Sequence, residues 1–190
     1  MESALDFFRK HKALLDGHFL LSSGLHSPNY LQSALLLQDP KTAAELCAEL
    51  AKKFESLKPT VVVGPALGGV IVAYETARVL GVKGIFAERS DGKMCLRRGF
   101  TVGKDDRVLI CEDVITTGKS TMEVVDVITG YGAAVIGIGC IADRTGGKAA
   151  FNAPLKSLAR VDIPAYKPDA CPLCKEGRIP LVKPGSRPRP

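Results

Sequence analysis

An α/β fold with a mainly parallel sheet flanked by helices is the architecture this sequence predicts, and three observations predict it. Short apolar runs that read as strands buried on both faces alternate with amphipathic runs at helical spacing. Residues with chemistry to offer follow the carboxyl ends of those apolar runs, where open α/β sheets bind their ligands. At 190 residues, with 46% hydrophobic and 24% charged residues, the chain has the size and composition of one globular domain with a full core.

Taken in order, Leu5, Phe8 and the Leu14–Leu15 pair recur at helical spacing, which predicts an amphipathic helix over residues 2–15. From Gly17 to Tyr30 the pattern becomes turn, short strand, turn, strand. Pro40 to Leu57 reads as a helix with an apolar stripe through Ala44, Leu46–Cys47 and Leu50–Ala51, broken by Pro59. Thr60–Gly64 predicts a buried strand, Pro65-Ala66-Leu67-Gly68-Gly69 a turn, and Val70–Leu80 a helix. Such a turn is commonly a packing device, but at the first strand–loop–helix of a βαβ series it can present amides to an anion. Val82–Ala87 predicts the next strand. Beyond it, Glu88 to Phe100 holds Arg89, Lys93, Arg97 and Arg98 in a polar, Gly-bearing run. A solvated hairpin is the ordinary meaning of such a run, yet four cations there also suit closure over a pyrophosphate.

The densest chemistry lies between Val108 and Thr121. Val108–Cys111 predicts a strand buried on both faces, and Glu112 and Asp113 come where it would leave its sheet. Val114, Ile115, Thr116, Thr117, Gly118, Lys119 and Ser120 lead through a small-residue turn into an amphipathic run ending at Tyr131. The layout suits a phosphate attached to a polyol. Amides of Thr116 to Ser120 can point at the phosphate from a helix N-terminus, with hydroxyls as further donors. The two carboxylates can accept from vicinal sugar hydroxyls or hold a water-clad Mg2+. Taken singly, these features are also ordinary cap and turn chemistry. Gly118-Lys119-Ser120 imitates the end of a Walker loop, but that loop needs a glycine where this chain has Asp113, so the pattern fails.

Ala133–Ala142 predicts a further strand, followed by Asp143-Arg144-Thr145-Gly146-Gly147. The guanidinium fork of Arg144 at a strand end could grip a carboxylate bidentately, although a lone Asp-Arg is normally a surface ion pair. In the tail, Leu158–Ile163 reads as a strand. Cys171-Pro172-Leu173-Cys174 has the spacing of a zinc ligand pair. It is the only such pair, and His11, His18 and His26 are remote in sequence, so a structural turn is favoured over zinc held within one chain. The other cysteines, Cys47, Cys95, Cys111 and Cys140, suit reduced thiols. Lys183 to Pro190, with three prolines and three cations, reads as a disordered or docked arm.

Over its length the Val108–Thr121 stretch resembles the ribose-5-phosphate signature of the type I phosphoribosyltransferases, Glu-Asp-Val-hydrophobic-Thr-Thr-Gly-x-Ser. Phe-x-Leu-x-Ser-Gly-x-x-Ser-x-x-Tyr, from Phe19 to Tyr30, is similar to the segment with which the orotate branch of that family begins its hood, the small subdomain over the base. The resemblance covers residues 17–185. It implies a single domain over 1–190, with a hood from about 17–35 and 155–185 on a core of about 40–150. It further implies transfer of the phosphoribosyl group of 5-phosphoribosyl 1-pyrophosphate to orotate, a step of UMP synthesis, with Mg2+ as cofactor. Residue by residue, it assigns Glu112, Asp113 and the run Val114–Ser120 to phosphoribosyl pyrophosphate, together with Arg89. Thr116 and Arg144 are assigned to orotate, and Arg89, Lys93, Glu112 and Asp113 to catalysis; Pro65–Gly69 looks like the pyrophosphate loop. It also implies a homodimer in which the Arg89–Arg98 stretch reaches the neighbouring site. The chain departs from the family twice. Many members carry Lys or Arg where this chain has Ser22, and no histidine lies between Arg89 and Arg107.

Charge and length narrow the rivals. The net charge is +6, but the cations form no long run and few aromatics interleave, which favours phosphorylated small molecules over nucleic acid. No apolar run approaches the roughly 20 residues of a membrane span, and the N-terminus is not a signal peptide, so a cytoplasmic protein is expected. A phosphoribosyltransferase for another base and a phosphoribosyl-pyrophosphate-sensing regulator that binds nucleic acid are the alternatives.

Overall fold

Two sheets organise the chain, which the computed structural model describes at residues 4–21, 23–147 and 149–184. A short helix, α1 (Ala4–Lys10), leads into a hairpin of β1 (Leu14–Leu20) and β2 (His26–Leu31), and α2 (Ser33–Leu37) and α3 (Pro40–Lys52) carry the chain onward. The main sheet is built from β3 (Val61–Pro65), α4 (Gly68–Leu80), β4 (Lys83–Ser90), β5 (Lys93–Leu96), β6 (Arg107–Ile115), α5 (Lys119–Gly130), β7 (Ala134–Asp143) and β8 (Leu155–Arg160), and α6 (Pro172–Glu176) lies beyond it.

The six strands run in the order β5-β4-β3-β6-β7-β8, parallel except for the β4–β5 pair. Along the central strands the faces alternate. Val62, Leu109 and Cys111 join the core under α3 and α4, while Val61, Val63, Val108 and Ile110 join the core under α5. Both faces are covered, which is why the sequence shows unbroken apolar runs there. Asp39 caps α3 by accepting from the amide of Lys41, with Pro40 pre-set for the first turn. Phe54, fully buried after α3, lies against β7 where Gly137 and Gly139 stand. A methyl at either glycine would come within 2.8–2.9 Å of its ring.

Several expectations are corrected. The helix expected over residues 2–15 ends at Lys10, Lys12 takes a left-handed backbone (φ 51°), and Leu14–Leu15 pair with Leu31 and Tyr30 in the hairpin. Helical spacing across two elements had mimicked one. The helix expected to reach Leu57 stops at Lys52 and tightens into a 3-10 turn over Glu55–Leu57, which lets Phe54 turn inward. The central strand runs past Cys111 to Ile115, because β7 keeps pairing with it beyond the end of β3. The strand expected over Leu158–Ile163 is β8, and it extends the main sheet beside β7 instead of completing the hood. The C-terminal share of the hood begins later. Tyr166 bridges β2 at His26, and Val182 bridges β1 at Phe19, one on each side of the hairpin. Of the expected arm, residues 185–190 lie outside the described residues, as does Ser22.

The cation-bearing stretch after β4 is a hairpin turned by Asp91-Gly92, both at positive φ (50° and 79°), with Ser90 opposite Lys93. Among the described residues, no helix is long and apolar enough to cross a membrane.

Candidate active site

Strand order reverses between β3 and β6, and at such a reversal the loops from neighbouring strands splay apart to leave a crevice. β3 pairs with β6 only through Val63–Ile110, whereas β7 stays paired as far as Ile115–Asp143. Glu112 and Asp113 therefore stand on a strand with one free edge, facing the Pro65–Gly69 loop. That loop comes close because Gly68 and Gly69 lack side chains. A methyl on Gly68 would collide with the Asp113 carboxylate, and one on Gly69 would lie 3.1 Å from Glu112 Oε1. The Ala66–Leu67 peptide in this loop is cis.

The two carboxylates differ in environment. Glu112 is buried and accepts from Ser120 Oγ at 3.2 Å. Its carboxyl is pushed well above the usual range, first by burial and then by the charge of Asp113, with Ser120 partly opposing. Asp113 accepts from Ser33 Oγ, which α2 brings in from the hood side. With Glu112 buried and Asp113 half-buried beside it, the pair is stabilised by an arriving cation or by sugar hydroxyls, and a magnesium ion with its water shell meets its chemistry.

Next to the pair, Gly118 (φ 76°) caps α5 with no side-chain hydrogen bond, leaving first-turn amides for an anion. These residues, from Val114 through Thr121, line a cavity of about 710 Å³ with Ser23 and Arg89. A second cavity, of about 330 Å³, joins Glu112, Asp113, Thr116 and Ser120 to Tyr30, Arg144 and Lys183. The expected sugar-phosphate and base residues thus share one crevice.

Arg144 is not half of a surface ion pair. Asp143 turns inward and accepts from the amide of Thr145 at 2.8 Å. The Arg144 guanidinium lines the smaller cavity, and its Nε is buried with no partner among the described residues. Burial lowers its pKa, with Tyr30 opposing, while burial and Asp113 raise the phenol of Tyr30. A buried guanidinium N–H without an acceptor is costly until a ligand supplies one.

The hairpin cations divide. Arg89 lines the phosphate-loop cavity, donating to Gly92 O at 2.9 Å and pairing with Glu123. Arg98 binds Glu88 bidentately at 2.9 and 3.1 Å, which holds Glu88 below the usual carboxylate range. Lys93 borders a shallow surface beside Glu123 and Asp126 and does not line the crevice of its own chain. Lys183 was missed. It reaches the cavity because Val182 exchanges 2.8 Å backbone hydrogen bonds with His18 and Leu20, and nothing in an aperiodic Pro-rich tail signals such a pairing.

Cys171 and Cys174 do not stand as an isolated pair. The hairpin carries His18 and His26 to the two cysteines, and the four side chains converge. Separation of 153 residues along the chain had hidden that proximity.

The sequence pattern of the phosphoribosyl transferase domain matches residues 34–165. An orotate phosphoribosyltransferase of Caldanaerobacter subterraneus subsp. tengcongensis is 51% identical over 186 residues, 98% of this chain and 97% of that protein. Another, of Carboxydothermus hydrogenoformans, is 52% identical over 182 residues, 95% of each. Among solved structures, orotate phosphoribosyltransferase from Aeropyrum pernix superposes with a TM-score of 0.66 at 27% identity, covering 83% of this chain and 93% of that one.

Proposed function

The chain belongs to the phosphoribosyltransferase family, and on that premise we propose that it transfers the phosphoribosyl group of 5-phosphoribosyl 1-pyrophosphate to orotate, giving orotidine 5′-phosphate and pyrophosphate in UMP biosynthesis. Relatives of that name match nearly the whole chain at about half identity. The observation that carries the choice of base is Arg144. Arg144, whose buried Nε has no partner among the described residues, lines the cavity that also holds Thr116 and the carboxylate pair. A base bearing its own carboxylate supplies the missing acceptor; a purine does not.

In the reaction, orotate N1 gives up its proton to solvent or to the departing pyrophosphate and bonds to the anomeric carbon as the bond to pyrophosphate breaks, so positive charge grows on the ribose ring and negative charge on the leaving group. The first-turn amides of α5, with Thr116, Thr117 and Ser120, hold the 5′-phosphate. Glu112 and Asp113 take hydrogen bonds from the ribose hydroxyls and lie where ring charge develops. The Pro65–Gly69 loop offers amides to the pyrophosphate. Bound Mg2+ would neutralise charge on the pyrophosphate, and the carboxylate pair, in which the burial of Glu112 and the neighbouring charge of Asp113 disfavour two bare charges, fits such an ion. Lys183 supplies positive charge on the orotate side that a serine at position 22 does not. Arg89 faces the site of its own chain, whereas Lys93 serves the neighbouring site of a homodimer. An exposed apolar stripe of Leu67, Ile71 and Tyr74 at the start of α4 suits that assembly. The phosphate-ester substrates suit the cytoplasm. Nucleic acid has no part in this reading, because the hairpin arginines Arg89 and Arg98 are engaged by Glu123 and Glu88.

The test is ultraviolet-monitored consumption of orotate with phosphoribosyl pyrophosphate and Mg2+, run beside uracil, hypoxanthine and adenine. Metal-dependent turnover of orotate alone is expected. Turnover of a purine instead would replace the base assignment, and tight phosphoribosyl pyrophosphate binding without turnover of any base would favour a regulator.

A further inference from the structure

We propose that His18, His26, Cys171 and Cys174 are the four ligands of a structural Zn2+ ion that fastens the Tyr166–Val182 segment to the β1–β2 hairpin. His18 Nε2 lies 3.2 Å from His26 Nδ1, 3.5 Å from Cys171 Sγ and 3.6 Å from Cys174 Sγ. Cys174 Sγ is 3.2 Å from His26 Nδ1, and all four atoms lie within 4.8 Å of one another. With Zn–N near 2.0–2.1 Å and Zn–S near 2.3 Å, the edges of a tetrahedral site are about 3.3 Å for N–N, 3.6 Å for N–S and 3.8 Å for S–S. The three separations from His18 Nε2 lie within about 0.1 Å of those edges, while Cys174 Sγ to His26 Nδ1 is shorter by about 0.4 Å.

Hydrogen bonding does not account for the cluster. One imidazole nitrogen has either a single N–H or a single lone pair to offer, yet His18 Nε2 has three polar neighbours within 3.6 Å. A central cation satisfies all of them at once. His18 Nδ1 lies 3.2 Å from the carbonyl oxygen of Ile179, the acceptor that fixes the proton on Nδ1 and turns the Nε2 lone pair toward the cluster. The same Ile179 belongs to the segment the ion would hold.

Charge and softness select the metal class. Two thiolates cancel the double charge, so the site is neutral where His18, His26 and Cys171 are buried, and Cys174, exposed, marks the way in. Binding takes the metal from water and releases two thiol protons, with no change of oxidation state. Paired thiolates and imidazoles suit Zn2+, whereas the oxygen donors of Glu112 and Asp113 suit Mg2+, so the two sites do not compete. Four protein ligands leave no open position, which makes the ion a fastener without a catalytic role. What it fastens is the segment that ends in Val182 and presents Lys183 to the crevice.

The test uses the full, untagged chain produced with zinc in the medium. Elemental analysis after gel filtration should give about one zinc per chain, falling below about a tenth of that when Cys171 and Cys174 are both replaced by serine. Exchange for Co2+ should produce visible bands of a tetrahedral ion and a near-ultraviolet thiolate charge-transfer band, both lost in His26→Ala. If the variants fold poorly, the unaltered protein decides: a strong chelator should release the metal and expose two further thiols to a disulfide reagent in the same time course. Unaltered protein that retains no zinc and takes up no Co2+ overturns the proposal. So does an intact mass lower by two hydrogens, which would show a Cys171–Cys174 disulfide. None of these readouts depends on which base the crevice accepts.

Discussion

A buried donor that lacks an acceptor marks where a ligand is needed, and the Nε of Arg144 is such a donor. Truncating one partner of a buried charged hydrogen bond costs enough to lower kcat/KM for orotate by about a hundredfold, so Arg144→Ala should show that loss. Calorimetric titration should find its affinity for phosphoribosyl pyrophosphate nearly unchanged, because the phosphate loop does not use this side chain. Glu112 gives a pH dependence of definite sign. Its native carboxyl is raised well above 4.5 while the unfolded one is not, so the native state holds the extra proton between those two values. The contribution of Glu112 to the stability of the free protein is therefore greatest below the ordinary glutamate range and declines as pH rises through the raised native value. Urea midpoints across that window should fall for the parent chain and stay flatter for Glu112→Gln. Much of this site was legible at the level of single residues. Glu112, Asp113, Thr116 to Ser120 and Arg144 stand in one contiguous stretch and at one strand end, where spacing carries the message. Lys183 was not legible, since its place depends on a backbone pairing and not on any pattern of side chains.

Among the elements, periodicity was read correctly where one element filled one stretch and failed where two shared it. Leu5, Phe8 and Leu14–Leu15 keep helical spacing across a helix, a left-handed Lys12 and a strand, and apolar spacing alone does not register that break. The length of β6 was underestimated for a different reason: its last residues are held by β7 on one side only, and half-paired strands need not be apolar. The packing of α3 onto the sheet turns on Phe54, whose ring fills the groove left by Gly137 and Gly139. Phe54→Ala should cost about 3–5 kcal/mol of unfolding free energy, measured by denaturant titration. Gly139→Ala should also destabilise, because the added methyl meets both Phe54 and Leu50. Loss in the first variant with none in the second would mean that the helix shifts freely on the sheet.

For the whole molecule, the proposed role of Lys93 in a neighbouring site makes a definite prediction about two copies of the chain. Mixing inactive Lys93→Ala with inactive Asp113→Asn should restore roughly a quarter of parental activity, since half the dimers are mixed and each then holds one intact site. Independent monomers would recover nothing. The α/β core was legible because its strands and helices follow one another along the chain. The hood was legible only through the family resemblance, because it joins segments far apart in the sequence. Tyr166 and Val182 flank a hairpin made some 150 residues earlier, and His18 meets Ile179 across 161 residues. A ribosome adding roughly 5–20 residues per second takes about 8–30 seconds to cover that interval. For that time the nascent hairpin has neither lateral strand, and His18 and Phe19 stay open to solvent and to chaperones. Closure of the roof over the crevice is consequently a late step of synthesis, and a chain that stops between Arg160 and Val182 holds every strand of the main sheet without a finished roof.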